Sequence, residues 1–80
     1  MRIKVLGPGC RNCQKLEQNT QAALDQLGLQ EQIEKVTDYG EIAGYGVMKT
    51  PALVIDDDVV LSGRVATPDE ITALINAVSY

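Results

Sequence analysis

Histidine, tryptophan and phenylalanine are absent from this chain, and tyrosine occurs only three times among its 80 residues. Without histidine, the sequence lacks the commonest general base and one of the commonest zinc ligands. With so few aromatic side chains, aliphatic ones must fill the core, and bases of a nucleic acid have almost nothing to stack on. Any chemistry therefore has to come from other side chains.

Basic clusters and long hydrophobic runs are also missing. Seven Lys and Arg stand against eleven Asp and Glu, which gives a net charge of -4, so nucleic acid is not an expected partner. The apolar segment from Ile3 to Leu6 is too short for a signal-peptide core or a membrane span. We therefore expect a cytoplasmic protein with no membrane contact. Because no linker or repeat is visible, we expect a single domain over residues 1–80.

The hydrophobic pattern predicts strand, helix, strand, helix, strand, strand and helix, in that order. The predicted strands span residues 2–6, 51–55 and 59–62, and a weaker strand lies within residues 30–36. A long helix spans 10–27 with Gly28 as its cap, a short irregular helix follows Asp38, and a last one follows Thr67. A right-handed β-α-β unit followed by a hairpin and a closing helix predicts an α/β fold. Its mixed sheet has four strands, with helices on both faces.

Residues 56–58 are three consecutive aspartates between the last two predicted strands. They lack the alternating spacing and the distal glutamate of a calcium loop, so the pattern favours a solvated turn. Tyr39 and Tyr45 are expected to pack in the core or at its rim near the short helix, although either could line a substrate groove. Lys49 is either a surface residue or a cation facing the site described next.

Cys10 and Cys13 are the only cysteines, and they follow the first predicted strand at the start of a helix. Residues three apart on a helix lie about 5 Å apart, within reach of a disulfide. The helix amino terminus stabilises a thiolate, and Arg11 and Lys15 add nearby positive charge. Cys13 continues the apolar stripe of the helix, whereas Cys10 lies at its exposed end. This difference predicts disulfide exchange in which Cys10 attacks and Cys13 resolves the mixed disulfide.

Two other interpretations of the cysteine pair stay open at this point. Both residues could be inert core side chains, as free cysteine often is. Alternatively, two thiolates can hold Cu(I), and two chains could share one zinc ion through four sulfurs. Small copper-carrier domains also have a CxxC after their first strand, but they end on a strand, whereas this chain ends on its best-capped helix.

The combination of a strand, a CxxC at a helix start and Thr50-Pro51 before a hairpin resembles the thioredoxin-like superfamily. Among its short members, the chain is most similar to the group called redox-active disulfide proteins. The segment YGVMKTPALVI, residues 45–55, looks like the thioredoxin segment that leads into the cis-proline and the next strand. The resemblance implies a minimal thioredoxin fold with a cis peptide bond before Pro51. In place of thioredoxin's Trp, this sequence has Gly9, and in place of its Gly-Pro it has Arg11-Asn12.

The same resemblance implies a thiol-disulfide oxidoreductase that reduces protein disulfides. Cys10 and Cys13 would be catalytic, and the substrate would bind at a set of neighbouring residues: Gly9, Arg11, Asn12, Thr50 and Pro51. An upstream disulfide reductase would supply electrons to a monomer. Because the cysteine pair is itself the redox centre, we expect no bound cofactor and no metal.

Overall fold

The secondary structure follows the predicted order. A computed structural model describes residues 2–79 of the chain. Its elements are β1 (Ile3–Leu6), α1 (Arg11–Leu27), β2 (Ile33–Val36), α2 (Tyr39–Gly44), β3 (Ala52–Ile55), β4 (Asp58–Ser62) and α3 (Pro68–Ser79). Within this described part, no helix combines the length and the apolar character that crossing a membrane requires. The prediction of a single domain over 1–80 stays a prediction.

The four strands form one mixed sheet in the order β2-β1-β3-β4. β1 is parallel to β2 and antiparallel to β3, and β3 is antiparallel to β4. Leu6 is paired with both Val36 and Ala52, and Ala52 is paired in turn with Ser62. The loops that follow β1, β2 and β4 are therefore gathered, with the loop that precedes β3, at one end of the sheet.

Helices cover both faces of the sheet because side chains alternate along its central strands. Ile3 and Val5 of β1 belong to a core shared with α1 and α3, whereas Leu6 belongs to a second core with Ile42 of α2. β3 is buried along its whole length and contributes to both cores. The predicted α/β fold, with a mixed four-stranded sheet between helices, is confirmed.

The helix ends carry the predicted caps. Gly28 closes α1 with a left-handed φ of 69°, a conformation that glycine adopts without a steric penalty. At the start of α3, the Thr67 hydroxyl accepts a hydrogen bond from the Glu70 backbone N–H at 3.2 Å. The Glu70 carboxylate in turn accepts from the Thr67 N–H at 3.5 Å, which completes a capping box. For α2, the Asp38 carboxylate accepts from the Gly40 N–H at 2.8 Å.

The sequence predicted a turn of three aspartates, residues 56–58, and this prediction is wrong at Asp58. Asp56 and Asp57 alone form the turn, with φ angles of 51° and 69°, and Asp58 is the first residue of β4, paired with Ile55. A two-residue turn with both residues at positive φ matches the twist of antiparallel strands. The hairpin is therefore one residue tighter than the run of aspartates suggested, and β4 begins one residue earlier.

The strand expected within residues 30–36 covers Ile33–Val36, and its parallel pairing with β1 starts where Ile3 lies opposite Ile33. One further local expectation is corrected by the structure. Tyr39 is 67% exposed rather than packed, because α2 is only six residues long and Ile42 is its buried side chain. Tyr45, by contrast, is partly buried against the core beneath α2, as expected.

Candidate active site

At one end of the sheet, Gly7 lies between Cys13 and Thr50, two of the predicted site residues. The Gly7 N–H donates to the Val36 carbonyl at 2.8 Å, which ties the loop after β1 to β2. A Cβ added to Gly7 would lie 3.8 Å from Cβ of Thr50, and it would overlap Sγ of Cys13. The cysteine loop and the Thr50-Pro51 loop, 37 residues apart in the chain from Cys13 to Thr50, are therefore neighbours.

Cys10 and Cys13 are joined in a disulfide, with their Cα atoms 5.0 Å apart. The two cysteines differ sharply in exposure: Cys10 is exposed, whereas Cys13 is only 4% exposed. Cys13 lies on the same buried stripe of α1 as Leu16 and Ala23. The pair therefore consists of one sulfur on the surface and one sulfur sheltered by the protein.

Cys10 is the N-cap residue of α1. Its backbone is extended, with φ −69° and ψ 169°, and its Sγ accepts a hydrogen bond from the Cys13 backbone N–H at 3.3 Å. An N-cap acceptor satisfies one of the free N–H groups of the first helical turn. The positive end of the helix dipole also lies there, so negative charge on the Cys10 sulfur is stabilised once the disulfide is opened.

The five predicted substrate-binding residues lie in two groups. Gly9, Arg11 and Asn12 are exposed beside Cys10, and Gly9 has a φ of 89°. On the facing loop Thr50 is half-buried and Pro51 is buried, and the peptide bond between them is cis. The Gly63 N–H donates to the Pro51 carbonyl at 2.9 Å, which fixes this loop to the segment after β4.

Tyr45 anchors the segment that leads from α2 to Thr50. Its hydroxyl accepts a hydrogen bond from Nζ of Lys4 at 2.7 Å, and the Lys4 ammonium also lies 3.5 Å from the Glu34 carboxylate. These contacts, the Tyr45 hydroxyl first, raise the pKa of Lys4 above its usual value. The hydroxyl of Tyr45 is thus attached to Lys4 of β1, and this contact positions the segment that leads to Thr50.

Met48 is an exposed apolar side chain that the sequence analysis did not single out. It is 97% exposed and lies two residues before Thr50. The next side chain, Lys49, folds back along the neighbouring loop: a Cβ at Gly63 would lie 3.2 Å from Cβ of Lys49. The approach to Pro51 therefore carries one apolar and one cationic side chain, and only the lysine was considered from the sequence.

Two charged side chains, Glu17 and Lys35, line a small cavity beside Cys13, and neither was singled out from the sequence. The cavity has a volume of about 80 Å³, and its walls include Val5, Gly7, Cys13, Glu17, Lys35 and Thr37. Nζ of Lys35 lies 3.2 Å from Oε2 of Glu17. The available signal was the spacing of four residues between Cys13 and Glu17, which places both on one face of α1. Lys35 could not be found in this way, since it comes from β2.

Metal ligation was the main alternative for the cysteine pair. Among residues 2–79, no three His, Cys, Asp or Glu side chains are grouped as a metal site would require. The last element of the described part is the helix α3, as the sequence indicated, and not a strand.

Comparison with known proteins agrees with this geometry. A family model described as a thioredoxin domain matches residues 1–76. The chain is 36% identical over 76 residues to a protein named thioredoxin from Methanothermobacter thermautotrophicus, a match that covers 95% of this chain and 99% of the relative. It is 38% identical over 69 residues to a thioredoxin from Methanocaldococcus jannaschii, covering 86% and 79% of the two chains.

Proposed function

The chain belongs to the thioredoxin domain family and is a thiol-disulfide oxidoreductase, and we propose that it reduces disulfides of partner proteins with Cys10 as nucleophile and Cys13 as resolving thiol. The observation that carries this assignment is the difference between the two sulfurs. Cys10 is exposed and caps a helix, whereas Cys13 is buried one turn further on. The match to the thioredoxin domain family and the two thioredoxin relatives do not favour a metal-carrier role.

The reaction transfers two electrons in two exchange steps. The Cys10 thiolate attacks one sulfur of the substrate disulfide, and the other substrate sulfur leaves with the bonding electron pair and takes up a proton. The Cys13 thiolate then attacks Sγ of Cys10, and the second substrate sulfur leaves in the same way. The substrate gains two electrons and two protons, and the Cys10–Cys13 disulfide forms.

Substrate recognition is assigned to the exposed surface around Cys10. We propose that Gly9, Arg11 and Asn12 contact the partner on one side of the sulfur, and that Thr50 and Pro51 contact it on the other. The positive φ at position 9 favours glycine, which places no side chain beside Cys10. The backbone of Thr50 would pair with an extended segment of the partner, a mode in which main-chain hydrogen bonds supply affinity.

Electron supply completes the proposal. A disulfide reductase upstream would return the Cys10–Cys13 disulfide to the dithiol, so that this chain carries electrons without a bound cofactor. We assign the protein to the cytoplasm and to a reducing role, because dithiol pairs in that compartment are kept reduced. We expect it to work as a monomer, since all the groups assigned above come from one chain.

The proposal is tested by trapping the intermediate with a peptide that contains one disulfide. Reduced Cys13→Ser protein is expected to accumulate a covalent peptide adduct through Cys10, detected by intact mass, whereas the matched Cys10→Ser protein forms none. The unsubstituted protein releases reduced peptide and ends as the internal disulfide. An adduct through Cys13 in Cys10→Ser would reverse the assigned order, and no adduct in either variant would refute it.

An equilibrium redox titration supplies the second test. The oxidised and reduced fractions are measured by mass after thiol alkylation across a series of thiol-disulfide buffers. A single two-electron midpoint in the range of known oxidoreductases, roughly −270 to −120 mV, is the expected result. A pair that stays reduced throughout the series would argue against the exchange function.

A further inference from the structure

Three exposed cations, Arg11, Lys15 and Lys49, lie in the two segments that flank the sulfur of Cys10. We call these three side chains the cationic rim. We propose that the cationic rim selects partner proteins that carry aspartate or glutamate beside the disulfide to be reduced. The inference rests on the proposed function of the Cys10–Cys13 pair, and it adds the class of substrate to that function.

Two cations of the rim come from the start of α1. Arg11 directly follows Cys10 and is the first residue of the helix. Lys15 lies four residues further on, so both side chains are on one face of α1, roughly 6 Å apart along its axis. Both are exposed. A partner at the Cys10 sulfur is therefore within about one Debye length of these two cations, and it also meets the positive end of the helix dipole.

The third cation, Lys49, comes from the facing loop, one residue before Thr50. Its stem is packed along the segment after β4, because a Cβ at Gly63 would lie 3.2 Å from Cβ and 3.4 Å from Cδ of Lys49. The Gly63 N–H also donates to the Pro51 carbonyl, which holds this loop to the same segment. A packed aliphatic stem leaves the ammonium of an exposed lysine in water. Lys49 is thus a cation on a loop that is fixed in place.

The cationic rim is not neutralised by acids of its own chain. Among residues 2–79, the cations held in ion pairs are Lys4, Lys35 and Arg64. The three rim side chains form neither an ion pair nor a hydrogen bond within this described part. Their charges are therefore available to a partner that approaches Cys10.

The charges of the chain are divided unevenly between the end of the sheet that carries Cys10 and the rest of the molecule. The loops at that end and the start of α1 contain four cations and one acid, and they comprise residues 7–15, 37–38, 46–51 and 63–67. The remaining residues carry three cations and ten acids. The one acid at the Cys10 end is Asp38, whose carboxylate is engaged as the N-cap of α2. A chain of net negative charge thus presents a positive surface around its exposed sulfur.

The acidic hairpin lies at the opposite end of the sheet. Asp56 and Asp57 form the turn after β3. Asp56 follows Pro51 by five residues of extended chain, a distance of roughly 16 Å. Surface charges are largely screened beyond about 8 Å at physiological ionic strength. The hairpin carboxylates are therefore too distant to cancel the cationic rim for a partner at Cys10.

Carboxylates are the partner groups that match the cationic rim. Arg11 can bind a carboxylate through two parallel N–H bonds, whereas Lys15 and Lys49 act as point charges. Opposite charge accelerates the encounter of two proteins, and like charge disfavours it. Because the reaction at Cys10 needs a disulfide, the matching partner is a protein segment in which acidic residues flank a cystine. Segments rich in lysine or arginine are repelled.

The test compares three disulfide-bonded peptides that differ only beside their cysteines, where they carry two aspartates, two serines or two lysines. A fluorophore and a quencher separate when the disulfide is reduced, and the rate with reduced protein is measured at about 20 and about 500 mM salt, which give long and short screening lengths. Flanking charge also alters the reactivity of the disulfide itself. Each rate is therefore divided by the rate of the same peptide with dithiothreitol, a dithiol that carries no other charge.

The variants are Arg11→Gln, Lys15→Gln and Lys49→Gln, alone and combined in a triple variant. The matched control is Arg2→Gln, which removes an exposed cation beside the acidic hairpin. The hydrogen bond from Arg2 to the Asp56 carboxylate comes from the backbone N–H, so this substitution retains it.

At low salt, the aspartate peptide is expected to react at least about tenfold faster than the lysine peptide, the low side of what electrostatic steering contributes. High salt should bring this ratio toward one. Each single substitution in the rim should lower the ratio by roughly two- to fivefold, the range measured for exposed charge pairs. The triple variant should abolish the preference, and Arg2→Gln should leave it unchanged.

A ratio near or below one in the unsubstituted protein, or a ratio that neither salt nor the triple substitution changes, overturns the proposal. Equal slowing of all three peptides in the triple variant also overturns it, because the cations then act on the Cys10 thiolate and not on the partner. If the unsubstituted protein reduces none of the peptides, the proposed exchange function fails instead, whatever the rim does.

Discussion

Gly7 leaves open the space that the sulfur of Cys13 occupies. A Cβ at position 7 would overlap Cys13 Sγ and come within 3.2 Å of Cys13 Cβ. Adding a methyl group to a packed site costs about 1–3 kcal/mol, so Gly7→Ala should lower the free energy of unfolding of the oxidised protein by that amount. Urea denaturation of the oxidised protein measures it.

The matched control for that substitution is Gly44→Ala. A Cβ at Gly44 would meet nothing within 4 Å, and the residue ends α2. Alanine is favoured over glycine in a helix by up to about 1 kcal/mol, so this variant should be neutral or slightly more stable. Equal stabilities for the two alanine variants would show that the space at Gly7 is not required.

Substitutions at Cys10 can separate its contribution to stability as an N-cap from its role in disulfide exchange. A serine at position 10 keeps an acceptor for the Cys13 N–H, whereas alanine removes it. Both variants should lose disulfide exchange, but Cys10→Ser should be more stable than Cys10→Ala by about 0.5–2 kcal/mol. Chemical denaturation of the two proteins, with Cys13 kept reduced, gives the difference. Equal free energies of unfolding would show that the cap contributes nothing.

Acid should weaken the start of α3. The Arg64 guanidinium, 2.9 Å from the Glu70 carboxylate, and the Thr67 N–H lower the pKa of Glu70 below its usual value of 4.5. A carboxyl whose pKa is lower in the folded state stabilises the fold above its unfolded pKa, and this contribution is lost as pH falls through the folded pKa.

Thermal unfolding across pH 7 to 2 tests this expectation in Glu70→Gln. The variant should be less stable than the unsubstituted protein at pH 7, and the two should converge below pH 4.5, the usual pKa of that carboxyl. Asp69→Asn removes a charge from the same helical turn and controls for the helix dipole. If Glu70→Gln and Asp69→Asn behave alike at every pH, the contact with Arg64 has no measurable effect.

The hairpin turn offers a stabilising substitution. Asp57 has a φ of 69°, which costs a residue with a Cβ about 1 kcal/mol that glycine does not lose. Asp57→Gly should therefore raise the free energy of unfolding by several tenths to about 1 kcal/mol. Asp56→Gly is the informative contrast, because it also removes the carboxylate that accepts from the Arg2 N–H at 2.8 Å. A larger gain at position 56 than at 57 would contradict this account.

Much of the fold followed from local pattern. Gly28 and Thr67 marked helix ends by chemistry that acts within a few residues, and the apolar stripe of α1 separated buried Cys13 from exposed Cys10. The position of Asp58 did not follow, because three identical residues give no local reason to prefer one strand boundary over another. Pairing with Ile55 decides it.

Residues of the candidate site could be predicted from spacing only where they lie close together in one segment of the chain. Glu17 and Lys35 come from a helix and from a strand, and their contact exists only because β2 packs beside α1. Likewise, the nearness of Gly7 to Thr50 depends on the antiparallel pairing of β1 with β3. The resemblance to a family supplied Thr50 and Pro51, whereas spacing along the chain could not have done so.

β2 forms one edge of the sheet, and its two central residues are Glu34 and Lys35. An open edge strand offers unpaired backbone groups on which other chains can assemble into fibrous aggregates, and charged side chains oppose such growth. These two charges therefore discourage a strand of another chain, a partner protein included, from pairing with this edge. Besides lining the cavity at Cys13, Lys35 thus belongs to the pair of charges that protects the open edge of the sheet.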